Sequence, residues 1–137
     1  MTYDFASKEW LEAYKQALNG DLGEEWQKAA EEWEGDFLFV INADDRLAET
    51  VYYYIDLWHG ECRKATMYLD ADSVPEAEFQ YIGKYSNWEK LLNGEIDPIR
   101  GLLMRKFKLV GSKAKLMRST VAKELVETAR KMDTTFV

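Results

Sequence analysis

The sequence predicts an α+β domain in which helices cover one face of a five-stranded sheet. Three observations predict it. Apolar residues recur at helical spacing at both ends of the chain, as in Trp10, Ala13, Tyr14, Ala17 and Leu18. Short alternating runs rich in aromatic and β-branched residues fill the middle. Compact turn signals such as Asn42-Ala43-Asp44-Asp45 and His59-Gly60 separate those runs.

The elements follow in order. Ser7 is the expected N-cap of a first helix, and Asn19-Gly20 its stop. Asp21 with Glu24 three residues on has the capping-box pattern. Trp26, Ala29, Ala30 and Trp33 then line one helix face, and Gly35 is the expected left-handed terminator. Strands are expected at 37–41, 50–57 and 62–69, as an antiparallel meander. A polar loop containing Pro75 leads to a fourth strand at 78–84. Ser86 with Glu89 suggests the next helix, ended by Asn93-Gly94. Asp97-Pro98 places a cap before a proline at the first helical position. A fifth strand is expected at 106–110, and Gly111 breaks it. One long helix is expected from Ser112 to Met132, with Ala114, Met117, Val121, Leu125 and Met132 inward. Residues 1–137 thus read as one domain, with N-terminal helices over 1–34 and the sheet and its covering helices over 35–132.

Composition excludes several classes. The net charge of −7 argues against a nucleic-acid binder. The average hides an asymmetry: residues 1–83 hold 6 Lys/Arg and 19 Asp/Glu, residues 84–137 hold 12 and 6. Seven basic residues and no acid lie between Pro98 and Ala122. The plain reading is a solvated face balanced by the acidic first part. The alternative is transient contact with anionic membrane. A single cysteine, Cys62, fits a reducing compartment. No apolar run marks Met1 to Trp10, and Thr134-Thr135-Phe136-Val137 is no organelle address, so the cytoplasm is expected.

Signatures of chemistry fail. Asp56, His59 and Cys62 invite a metal or thiol reading, but no second His or Cys exists to complete a site. His59-Gly60 reads better as a turn. Ser112 to Lys115 matches S-x-x-K without its companion motifs, and Ser112 reads as an N-cap. Asp70-Ala71-Asp72 begins like a calcium loop, but Pro75 and Tyr81 occupy the required Gly and Glu positions. Glu31, Glu32, Glu34 and Asp36 read as a solvated cluster. No metal, cofactor or catalytic residue is expected.

The stretch Tyr85-Ser86-Asn87-Trp88-Glu89-Lys90-Leu91-Leu92-Asn93-Gly94-Glu95-Ile96-Asp97-Pro98-Ile99 resembles the sterol carrier protein type 2 lipid-binding domain, in its stand-alone prokaryotic form. It looks like that family's helix, Gly turn and (Asp/Asn)-Pro step. Arg105-Lys106-Phe107-Lys108-Leu109-Val110-Gly111-Ser112 resembles the family's strand and turn, and Lys115-Leu116-Met117-Arg118 its last helix. Asp36 to Ile41 fits its first strand. The sequence departs at Arg105, where the family usually has glycine. The resemblance spans about Trp33 to Lys131. It implies a mainly antiparallel sheet, and an apolar tunnel between sheet and helices for fatty acyl, acyl-CoA, phospholipid or sterol-like ligands. It also implies a carrier rather than an enzyme.

The ligand-lining residues expected on this basis are Phe39, Ile41, Tyr53 and Ile55 from the sheet. From the opposite wall they are Trp88, Leu91, Ile99, Leu103, Phe107, Met117 and Val121. Arg105 or Arg118 is expected to meet a charged head group. Two alternatives stand beside the carrier: a regulatory or interaction module with a solid core, and an enzyme using His59 and Cys62. Periodicity alone does not separate a filled core from a hollow one.

Overall fold

The structure is a computed structural model that describes residues 2–136. The element order is β1 (Tyr3–Asp4), α1 (Lys8–Asn19), α2 (Glu24–Ala29), β2 (Glu34–Asn42), β3 (Val51–Trp58), β4 (Glu61–Tyr68) and β5 (Phe79–Lys84). After these come α3 (Tyr85–Leu92), α4 (Pro98–Leu103), β6 (Phe107–Val110), α5 (Lys113–Met117), α6 (Val121–Arg130) and β7 (Thr134–Thr135).

The main sheet has the order β4-β3-β2-β5-β6. The β2–β3, β3–β4 and β5–β6 pairs are antiparallel, and β2–β5 is parallel. The expected five-stranded, mainly antiparallel α+β plan therefore holds. The parallel central pair exists because β5 reaches β2 by a crossover rather than a hairpin.

Local chemistry set several boundaries as expected. Ser7 Oγ accepts the Trp10 N–H at 3.1 Å, and Asp97 Oδ1 accepts those of Ile99 and Arg100 at 2.7 and 3.1 Å. His59 and Gly60 form the β3–β4 turn with φ of 48° and 80°.

Four expectations need correction. Asp21 to Gly23 forms a short 3-10 turn with no capping box, and α2 ends at Ala29. Gly35 therefore ends no helix; it lies inside β2, opposite Leu57. Ser86 does not cap α3. Instead Asp44 Oδ2, from the β2–β3 loop, accepts the Ser86 N–H at 2.9 Å, a partner 42 residues away that no local pattern announces. The long C-terminal helix is broken at 118–120 into α5 and α6. The break rotates the faces: Leu116 is buried, while Ala114 and Met117 are exposed.

Strand β4 carries a bulge. Asp56 faces Lys64 and Leu57 faces Cys62, so Arg63 is the extra residue. Asn19 of α1 closes this edge strand: its amide donates to the Cys62 carbonyl at 2.9 Å and its oxygen accepts the Cys62 N–H at 2.8 Å.

The two ends of the chain meet, which no local pattern predicts. β1 pairs in parallel with β7, Tyr3 with Thr134 and Asp4 with Thr135. The pairing brings Phe5 and Phe136 together, ring centroids 5.7 Å apart.

Candidate functional site

The sheet face toward the helices carries a cross-strand row of large side chains. Tyr53 of β3 and Tyr81 of β5 flank Phe39 of β2 in register. The row below it, Ile55, Phe37 and Phe79, is fully buried. Above Phe39 on the same strand, Ile41 is also fully buried. Phe39 itself is only partly buried, although it sits at the middle of the central strand. A residue there keeps contact with solvent only if the helical layer stands off above it.

That stand-off is a narrow cavity, about 640 Å³ of space between atoms including its mouth, of which about 50 Å³ is wide enough for the centre of a water molecule. Phe37, Phe39, Tyr53 and Tyr81 form its floor. Trp10 and Tyr14 of α1, Trp88 and Leu91 of α3, and Leu125 and Ala129 of α6 form the walls, and Phe5 closes one side. Half-buried Leu92, Ile99, Leu102, Ala122 and Val126 make the rim between α3, α4 and α6.

The polar atoms of these lining side chains are turned away and satisfied elsewhere. The hydroxyls of Tyr14, Tyr53 and Tyr81 donate to the carbonyls of Leu125, Ser7 and Pro98 at 2.9, 2.6 and 2.7 Å. Trp10 Nε1 donates to Thr134 Oγ1 at 2.9 Å and Trp88 Nε1 to the Val40 carbonyl at 3.1 Å. The lumen is left apolar, the condition under which a cavity of this kind stays dry. Burial pushes the ionisation of all three tyrosines upward.

Arg130 ties two walls together. Its Nε and Nη2 donate to the Leu91 carbonyl at 2.9 and 2.8 Å, Nη2 also reaches the Ile96 carbonyl at 2.9 Å, and Nη1 pairs with Glu127 at 2.6 Å. A charged donor thus satisfies carbonyls at the end of α3 from α6.

The residues expected to line a ligand separate into three groups. Phe39, Tyr53, Trp88, Leu91 and Ile99 border the cavity. Ile41, Ile55, Phe107 and Val121 are buried in solid core outside it. Phe107 is held there because its ring lies on Gly83, stacked on Tyr81 at 4.6 Å. Leu103 and Met117, expected on the wall, are 75% and 51% exposed, and their chain neighbours Leu102 and Leu116 line the space instead. Of the two head-group candidates, Arg105 sits at the exposed end of α4. Arg118 lines a separate surface groove with Glu32 and Glu34. The N-terminal contributors Phe5, Trp10 and Tyr14 escaped the sequence reading. The aromatic spacing of Trp10 and Tyr14 marked an inward helix face without saying what it faced.

The Cys–His reading is taken apart by the same geometry. Cys62 is buried and its thiol donates to the Lys64 carbonyl at 3.5 Å; burial pushes its pKa up to about 12. His59 is on the exposed turn, with Nδ1 2.7 Å from the Glu31 carbonyl and Nε2 2.7 Å from Glu34. Among the described residues, no group of three or more His, Cys, Asp and Glu is placed to hold a metal ion. No helix of the described residues is long and apolar enough to cross a membrane.

Fold and cavity together define an α+β domain with an apolar space between its sheet and helices. The chain belongs to the SCP-2 sterol transfer family, whose model matches residues 15–121. A crystal structure of sterol carrier protein 2 is 28% identical, with a TM-score of 0.81 over 93% of this chain and 98% of that one. The solution structure of a conserved hypothetical protein from Thermus thermophilus is 29% identical, with a TM-score of 0.81 over 96% of this chain and 91% of that one. Palmitated SCP2L2 from Aedes aegypti, at 14% identity and a TM-score of 0.55 over 93% of this chain and 97% of that one, shares the fold. No curated protein matches the sequence. Membership supports lipid binding and transfer as the general activity, on a fold that is generally non-enzymatic.

Proposed function

We propose that this protein is a carrier that takes up the hydrophobic part of one lipid, the acyl chain of a fatty acid, acyl-CoA or phospholipid or a sterol-like ring system, between the sheet and helices α3, α4 and α6. The observation that carries the reading is Phe39, left partly open on the central strand between buried Tyr53 and Tyr81. A lumen whose neighbouring polar atoms are all spent on protein partners offers a ligand no hydrogen bond. Recognition inside it rests on apolar burial, about 0.8 kcal/mol per methylene before ordering costs. The polar end of such a ligand stays at the rim, and Arg105, just past the exposed end of α4, is the head-group candidate.

The slot is narrow. Loading therefore separates the rim residues Ile99 and Leu102 of α4 from Ala122 and Val126 of α6. Short helices joined by turns can shift in this way at small cost.

Native mass spectrometry of gently purified protein, before and after adding long-chain fatty acids, tests the reading. One bound chain per protein is expected, and its loss in Val126→Trp, which fills the rim without touching the floor. Far-UV circular dichroism checks that the variant folds. No co-purified lipid and no mass shift with any long-chain acid would overturn the carrier and favour a solid-core interaction module.

A further inference from the structure

The basic run between Pro98 and Ala122 is divided by the fold. Lys115 is spent: its Nζ lies 2.7 Å from Glu78 and 2.8 Å from the Glu34 carbonyl. Arg118 faces Glu32 and Glu34 across its groove. Arg100, Arg105, Lys106, Lys108 and Lys113 remain, and among the described residues none of them forms an ion pair; the first four lie on α4, β6 and the turn between them, while Lys113 opens α5. Leu103 and Met104, 75% and 55% exposed, stand in their midst. This apolar tip is the end and C-cap of α4, the helix whose Ile99 and Leu102 rim the cavity.

We propose that the α4–β6 corner docks on anionic bilayers, with Leu103 and Met104 entering the interface and Arg100, Arg105, Lys106 and Lys108 meeting the lipid phosphates. Charge complementarity selects this occupant. The rest of a chain of net charge −7 is repelled by an anionic surface, so the corner is the face that can approach, and it arrives mouth first. Large apolar side chains ringed by unpaired cations form the composition that enters a headgroup layer. Docked this way, the rim of the cavity opens against lipid rather than water. That use of the surface rests on the carrier reading; the docking itself does not. The plain alternative is that Lys106 and Lys108 only protect the β6 edge from pairing with other strands. It predicts no affinity for vesicles.

The test is flotation of delipidated protein with phosphatidylcholine vesicles, with and without phosphatidylglycerol. Partition roughly tenfold stronger into the anionic vesicles is expected, weakening as salt is raised. Met104→Asp and the double variant Arg100→Glu, Lys108→Glu should each reduce it by about tenfold while acyl loading, measured without vesicles, is unchanged. Equal partition into both vesicles, no flotation, or flotation that survives both variants would overturn the proposal. Flotation without acyl loading would sink the carrier and leave the docking standing; loading without flotation would do the reverse.

Discussion

The ring of Phe107 lies directly on the backbone of Gly83. A Cβ at Gly83 would fall 2.4 Å from Phe107 Cδ1, and one at Gly101, on the far side, 2.9 Å from Cδ2. Two glycines, one on β5 and one on α4, thus clasp one aromatic ring. Tyr81 at 4.6 Å and Trp88 at 5.2 Å fix it from other directions.

The ring has no free direction in which to yield. Gly83→Ala is expected to cost about 1–3 kcal/mol, the usual range for overpacking. Phe107→Leu should relieve part of that, so the double variant should be less destabilised than the sum of the singles by about 1 kcal/mol. Urea denaturation of the four proteins of the cycle measures it, and simple additivity would show that the two residues do not press on each other.

Arg105 has φ of 60°, in the left-handed region. Its N–H donates to the Leu102 carbonyl at 3.1 Å, and that of Lys106 to Gly101 at 2.9 Å, which together terminate α4 as a Schellman motif. Glycine is the natural residue there. Arg105→Gly should therefore stabilise the fold by about 1 kcal/mol, seen as a higher Tm. An unchanged or lower Tm would show that the side chain contributes something that offsets the backbone strain.

Tyr14, Tyr53 and Tyr81 all have ionisation pushed above the ordinary tyrosine value, chiefly by burial. A group with a raised folded pKa stabilises the fold fully below its unfolded pKa, about 10, and that contribution is lost as pH rises toward the folded value. Stability should therefore fall above about pH 10, and these three residues should yield tyrosinate only as the protein unfolds. Parallel absorbance and circular dichroism titrations check this. Their ionisation in a protein that stays folded would contradict it.

His59 has its pKa raised, first by the hydrogen bond to Glu34 and then by the Glu31 carbonyl. The pair's contribution is complete below about pH 6.5 and disappears as pH rises through the raised value. An NMR titration should give a midpoint above about 6.5, and Glu34→Gln should lower it. Equal midpoints in the two proteins would remove Glu34 as the cause.

How much was legible follows from the range of each interaction. Asp97 before Pro98 fixed the start of α4, because a cap acts over three residues. Ser86 failed as a cap because its partner, Asp44, comes from a distant hairpin loop. The inward face of β2 was plain from Phe37, Phe39 and Ile41. Which of the three would stay partly open was not, since all three are equally apolar. Met117 and Leu103 were misplaced for a related reason: a break at 118–120 and the shortness of α4 shift a face by one residue, enough to turn a side chain outward.

The sequence by itself determined the strand and helix order, the apolar character of one sheet face and the family resemblance, because each is written in local periodicity and motif. Only the tertiary structure decided that β5 joins β2 in parallel, that the chain ends bring Phe5 and Phe136 together, and that Phe39 stays partly open while Ile41 is fully buried. Those outcomes depend on distances between residues far apart in the chain, which side-chain volume and long-range hydrogen bonds set jointly and no local pattern encodes.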